Sequence, residues 1–158
     1  MDSKSNISNT ANRLAKQGYE IEWIELYLFR HFGSNNMDYI TDAINRVSQI
    51  DFRKRIVDRD KICLISGFDA SECEAAHIIP YSECKSYDSS NGILLNRCLH
   101  KLFDEFMFSI NPATFKIEIR KSNKLLSINK YKNKIIKVPV GCIKNLKKHY
   151  EKFVELNV

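Results

Sequence analysis

Apolar residues recur at helical spacing through the first third of the chain and gather into short clusters afterwards. Met37, Ile40, Ile44 and Val47 fall on one helical stripe, which predicts a helix capped by Asn35 or Asn36. Upstream, residues 1–9 read as loose, and a helix from Ser8 or Asn9 runs through Gln17 to a stop at Gly18. From about Glu20 to Phe32 the chain is apolar nearly all round (Ile21, Trp23, Ile24, Leu26, Tyr27, Leu28, Phe29). That pattern predicts a central helix, ended by Gly33. A fourth helix is predicted over Phe52 to Asp60.

Past residue 60 the period shortens. Cys63-Leu64-Ile65 reads as a strand, Ser66 to Ser71 as a turn, and Glu74 to Ile79 as the return strand, closed by Pro80. Residues 81–90 form a polar loop. Ile93 to Leu95 is a short strand, and Asn96 or Arg97 starts a helix that runs to Glu105. Phe108 to Ile110 and Phe115 to Ile119 flank Asn111-Pro112-Ala113-Thr114 as a hairpin. Residues 120–138 are basic and irregular. Ile143 to Leu156 is a closing helix with Ile143, Leu146, Tyr150, Phe153 and Val154 inward.

At 158 residues, with 44% hydrophobic and 28% charged content, the chain reads as one compact globular unit. No apolar run is long enough to span a bilayer, and Met1 to Thr10 is too polar for a secretory signal. Five cysteines without a Cys-x-x-Cys pair argue against a disulfide framework and for a reducing, intracellular setting. The net charge of +6 is unevenly spread. Residues 1–115 hold 13 basic and 16 acidic side chains (−3), whereas residues 116–158 hold 12 and 3 (+9). A basic surplus downstream suits a polyanionic partner, because each neutralised phosphate releases counterions.

The chemistry concentrates in one stretch. His77 lies in Ala76-His77-Ile78-Ile79-Pro80, Asn91 in Asn91-Gly92-Ile93-Leu94-Leu95, and His100 and Asp104 in Leu99-His100-Lys101-Leu102-Phe103-Asp104. A His at a strand end is a candidate general base, since an unpaired imidazole with a pKa of about 6.5 is largely neutral at cellular pH. His100 and Asp104 are four residues apart, so both leave one face of a helix. Imidazole plus carboxylate suits one divalent ion and leaves positions for phosphate and water. Asn91, at the end of the 81–90 loop, can hold backbone across that loop. Asp88 reads as a loop brace, and Leu102 and Phe103 as core. His31 and His149 have no such company and read as surface or packing residues.

In this order the motifs resemble the HNH nuclease family, with its ββα-metal fold. The branch concerned reads Cys-x-x-(Ser/Thr)-Gly, Ala-Ala-His-Ile-x-Pro, Asn-Gly-x-x-Leu and His-x-x-Phe-Asp. The match covers roughly residues 52–120. The resemblance implies a metal-dependent DNA endonuclease in which a water activated by His77 attacks phosphorus, Asn91 braces, and His100 and Asp104 are metal ligands. It implies 5′-phosphate and 3′-hydroxyl products. The cofactor expected is one divalent ion, Mg²⁺ first, with Mn²⁺, Ni²⁺, Co²⁺ or Zn²⁺ as alternatives. One position departs from the pattern. Many members carry an Asp or His ligand immediately before the base, where this chain has Ala76; Glu74, on the same strand face, is a conceivable substitute. A catalytically silent nucleic-acid-binding module with the same fold stays open, as do a nuclease for structured or single-stranded substrates and a protein-interaction module.

Some family members add a zinc held by paired cysteines. Cys63, Cys73, Cys84 and Cys98 lack that pairing, so buried free thiols are expected. Lys85, Arg97 and Lys101 in and around the motif block, and Lys116, Arg120, Lys121 and Lys124 beyond it, are candidate phosphate contacts on double-stranded DNA that position without reading sequence. Leu14, Gly18, Ile24 and Leu28 fall near helix-turn-helix spacing, but the second helix is too long and apolar for that role. The amino-terminal helices read instead as a structural cap or a homodimer surface. The expected architecture is α+β. Helices over 1–51 precede a ββα-metal core over 52–120, which includes a β-hairpin, and a basic segment with a closing C-terminal helix over 121–158.

Overall fold

A computed structural model describes residues 2–121, 124 and 126–157. The chain is α+β and divides into two compact units, residues 1–51 and 52–158. The first unit is helical. Helix α1 (Ser3–Lys16) starts well before the predicted Ser8, because the Asp2 side chain caps it by accepting from the Lys4 N–H. Ile7, Ala11 and Leu14 then form its buried face. Helix α2 (Ile21–Phe32) is not central as predicted. It buries only Ile24 and Leu28, while Trp23, Leu26 and Phe29 are exposed. Tyr19, Trp23, Tyr27 and His31 stack in succession along its outer side.

The predicted third and fourth helices are one, α3 (Met37–Asp60). Nothing between Val47 and Phe52 breaks a helix, since Ser48-Gln49-Ile50-Asp51 holds neither Gly nor Pro. Asn36 does not cap it. A 3-10 turn (Ser34–Asn36) precedes α3, and the Asn36 amide donates to the Phe32 carbonyl at 2.7 Å. Of the predicted stripe, Ile40 and Val47 are buried and Met37 is exposed. The last turns of α3, from Phe52, belong to the second unit.

The second unit opens with a knuckle instead of the strand predicted over Cys63-Leu64-Ile65. The Cys63 N–H donates to the Phe68 carbonyl, and Gly67, at φ +75°, turns the chain so that its N–H returns to the Cys63 carbonyl. Sulfur closes the knuckle. The Cys63 thiol accepts from the Ser66 and Asn96 backbone N–H groups at 3.3 Å, and the Cys73 thiol donates to the Asp69 carbonyl at 3.2 Å. Strand β1 (Cys73–His77) pairs antiparallel with β2 (Gly92–Asn96), with His77 opposite Gly92 and Cys73 opposite Asn96. The loop between them carries a one-turn helix, α4 (Tyr81–Cys84), and a 3-10 turn (Ser89–Asn91) capped by Asp88, whose carboxylate accepts from the Ser90 N–H at 2.7 Å.

Helix α5 (Arg97–Asp104) leaves β2 directly. Asn96 caps it by accepting from the Leu99 N–H, while its amide donates to the Ser66 hydroxyl and ties the helix start to the knuckle. Strands β3 (Phe108–Ile110) and β4 (Ile117–Ile119) form a second antiparallel hairpin, two residues shorter than predicted because Phe115 takes φ +56°. The basic stretch contains a one-turn helix, α6 (Leu126–Asn129), in place of irregular chain throughout; residues 122, 123 and 125 of it lie outside the described residues. Helix α7 (Ile143–Glu155) closes the unit with Leu146, His149 and Phe153 buried and Val154 exposed. One core runs from Phe52 and Ile56 through Ala76, Ile93 to Leu95, Leu102 and Phe103 to Leu146. No described helix is long and apolar enough to cross a membrane.

Candidate active site

The β1–β2 hairpin and α5 bring most of the sequence-predicted residues to one end of the second unit. His100 stands between two carboxylates. Its Nδ1 is 2.8 Å from Glu74 Oε2 on β1, and its Nε2 is 3.2 Å from Asp104 Oδ2 one helical turn on. Arg97 extends the row, its Nε 3.4 Å from the other Glu74 oxygen. The Asp104 hydrogen bond raises the His100 pKa above its ordinary value. Partial burial opposes that shift, and the Glu74 hydrogen bond adds to it. In the protonated ring both nitrogens donate, each to its own carboxylate.

This donor set fits a divalent ion. An imidazole nitrogen and a carboxylate oxygen 3.2 Å apart on one helix face can share a cation, and Glu74 on the opposite nitrogen orients the ring as outer carboxylates do in histidine metal sites. Glu74 thus meets the ring on the side away from Asp104. Ala76 itself is fully buried in the core. Among the described residues no group of three His, Cys, Asp or Glu side chains could hold a metal ion, so solvent and substrate oxygen would have to complete the shell.

His77 ends β1, half-buried, in an aromatic cage. Its ring stacks on Phe52 with centroids 4.4 Å apart and planes 11° apart, and the Tyr81 and Tyr87 rings lie tilted at 5.8 Å. Burial lowers its pKa. The positive field of His100 lowers it further, while Asp104 and a hydrogen bond to the Ser86 backbone act the other way. The ring is neutral at cellular pH, and both His100 and Asp104 act on it electrostatically. Its Nε2 is buried and has no hydrogen-bond partner.

Asn91, 2% exposed, clamps the backbone just past His77. Its Oδ1 accepts from the Ile79 N–H at 2.8 Å, and its amide donates to the Ile79 carbonyl at 3.0 Å and to the Cys84 thiol at 3.3 Å. The remaining predicted residues are dispersed. Lys85 follows α4 with φ +50° and lies 5.3 Å over the Tyr81 ring. Lys101 is exposed on α5. Lys116 and Arg120 sit on and beside the second hairpin, outside the β1–β2 sheet, with Lys116 bridged to Ile135. Lys121 and Lys124 are exposed. Cys63 and Cys73 are buried free thiols as expected, but Cys84 and Cys98 are exposed.

Sequence reasoning missed the support supplied by α3. Arg53 donates to the Cys73 and Ala70 carbonyls, Arg55 to Tyr87, and Arg59 to Ser89 and Gly92. Asp60, with its side chain 2% exposed, accepts from the Leu94 N–H at 2.9 Å and from Arg59. Three arginines spaced along a helix end next to a motif block were the available signal. Charged helix ends usually read as solvated surface.

A comparison with curated proteins finds no match to this chain. Residues 63–111 match the family model described as HNH endonuclease, a function in nuclease-type, nucleic-acid chemistry. That segment runs from the knuckle to the first turn of the second hairpin and holds His77, Asn91, His100 and Asp104, so this part of the chain is similar to the HNH endonucleases.

Proposed function

We propose that the protein is a metal-dependent DNA endonuclease. In this reading His77 is the general base, Asn91 braces the backbone behind it, and His100 with Asp104 holds one divalent ion, Mg²⁺ in first place. The supporting observation is the bare Nε2 of His77, the one buried side-chain polar atom without a partner among the described residues. Leaving such an atom unsatisfied costs about 1–3 kcal/mol, and a partner brought by the reaction would relieve it.

A neutral imidazole whose Nε2 makes no hydrogen bond to protein can take a proton from a water that substrate binding brings to it, as that water's oxygen approaches phosphorus. The ring lies stacked on Phe52, and the Asn91 clamp on Ile79 fixes the strand end that carries it. When bound, the ion would supply positive charge against the charge developing on the phosphoryl oxygens. Glu74 would hold His100 in the tautomer that leaves Nε2 for the ion. Lys85, Arg97, Lys101, Lys116 and Arg120 are proposed to bind backbone phosphates of double-stranded DNA. The products would carry 5′-phosphate and 3′-hydroxyl ends.

Incubation of supercoiled plasmid with the protein and Mg²⁺ or Mn²⁺ tests this. Nicking by the wild type and its loss in His77→Ala is the expected result; nicking that survives His77→Ala removes His77 as the base. The burial of Ala76 where many relatives carry a ligand favours one second reading, a silent DNA-binding module. Salt-dependent DNA binding with no nicking under any divalent ion would establish it.

A further inference from the structure

The base reading leaves the Phe52–His77 stack without a role, and Phe52 lies outside the matched segment 63–111. We propose that Phe52 is a positioning residue that sets the plane of the His77 imidazole, and that position 92 is glycine in order to admit it. Three observations converge. Phe52 is 1% exposed, and its ring lies nearly parallel to that of His77 at 4.4 Å. Gly92 is the register partner of His77 on the neighbouring strand. A Cβ at position 92 would collide with Cζ of Phe52 and stand 2.8 Å from Cδ1 of Ile56. Gly92 has φ −142°, an extended conformation open to any residue, so its requirement is space and not backbone freedom.

The phenyl ring therefore occupies the room beside Gly92 and presents a flat wall to the imidazole. Tyr87 meets the Phe52 ring edge-on at 6.0 Å, and the Tyr81 and Tyr87 rings pack at 4.5 Å, which closes the cage. This wall restricts the imidazole to planes near its own, and with it the direction of Nε2. The titratable and charged groups that face the ring are His100, Asp104, Tyr81 and Tyr87, and none of them lies on α3. Phe52 thus acts on His77 by shape and by exclusion of water.

This inference rests on His77 being the base, and the test separates the two. Phe52→Leu, Gly92→Ala and the double variant are compared with the wild type and His77→Ala by NMR titration of the His77 ring and by plasmid nicking across pH. Phe52→Leu keeps apolar volume and loses the flat wall. Its His77 should titrate closer to the ordinary histidine value, the acid limb of the nicking profile should move with it, and nicking should fall about tenfold or more. Gly92→Ala should do the same alone and add little to Phe52→Leu, since the added methyl then meets a more yielding side chain. Should Phe52→Leu not fold, Phe52→Met, of similar volume, carries the same comparison. A folded variant with the ring titration and acid limb unchanged overturns the role of Phe52, even where stability drops. Nicking that persists in His77→Ala overturns the base reading, whatever the titrations show.

Discussion

Oε2 of Glu74 and Nδ1 of His100 are 2.8 Å apart, a contact between the first strand of the motif and the helix that follows the second. It joins residues 26 positions apart and leaves Nε2 facing Asp104, the nitrogen that the nuclease reading gives to a cation. Glu74→Ala is therefore expected to weaken Mn²⁺ binding, measured calorimetrically, by about 10–100-fold. Glu74→Gln, which keeps an acceptor oxygen, should lose less. Equal affinities for wild type and Glu74→Ala would show that the contact does not serve the metal side.

The Asn91 clamp satisfies both backbone groups of Ile79. Asn91→Ala should cost about 2–4 kcal/mol in urea unfolding, because two part-buried backbone groups lose their partner. Asn91→Asp should not rescue it, since a carboxylate cannot donate to the Ile79 carbonyl. In the nuclease reading both variants should also lose nicking.

Asp60 couples the end of α3 to β2 through the Leu94 N–H. Asp60→Ala would strand that N–H and leave Arg59 without its carboxylate. About 3 kcal/mol of stability should be lost, read from the denaturation midpoint. A loss below about 0.5 kcal/mol would mean that the Arg59 bonds to Ser89 and Gly92 suffice alone.

His149 supplies a pH dependence of stability. Its ring is stacked 3.7 Å from that of Phe103, bonded to the Ser109 hydroxyl and donating to the Phe103 carbonyl, and burial pushes its pKa down to about 4. The unfolded chain takes up this proton near the ordinary value of about 6.5. The stabilisation is therefore complete above about pH 6.5 and is lost as pH falls toward 4, by about 3 kcal/mol in all. Urea unfolding of wild type and His149→Gln at pH 7 and pH 4.5 should show a steeper acid loss in the wild type. Parallel losses would remove His149 as the source.

Much of the motif block was legible because its residue types do local work. Asn96 before an apolar-periodic run gave the start of α5, and the His100–Asp104 spacing placed both groups on one face. What escaped depends on distant partners. Cys63-Leu64-Ile65 has strand composition but turns, because thiol and backbone hydrogen bonds to Ser66, Phe68 and Asn96 outweigh propensity. Helix α2 looked central because hydrophobicity alone does not tell which faces find a partner. His149 looked idle because its cage is built by residues 103, 106 and 109. Gly92 stood in the sequence only as part of the Asn-Gly motif, which does not reveal the phenyl ring, forty residues upstream, that fills the space beside it.

The sulfur-closed knuckle has a practical consequence. Its two thiols are engaged by amides and carbonyls of the same corner and are shut away from solvent. Alkylating reagents should therefore label Cys84 and Cys98 in the folded chain and reach Cys63 and Cys73 only as this corner opens, so that sulfur chemistry reports its unfolding.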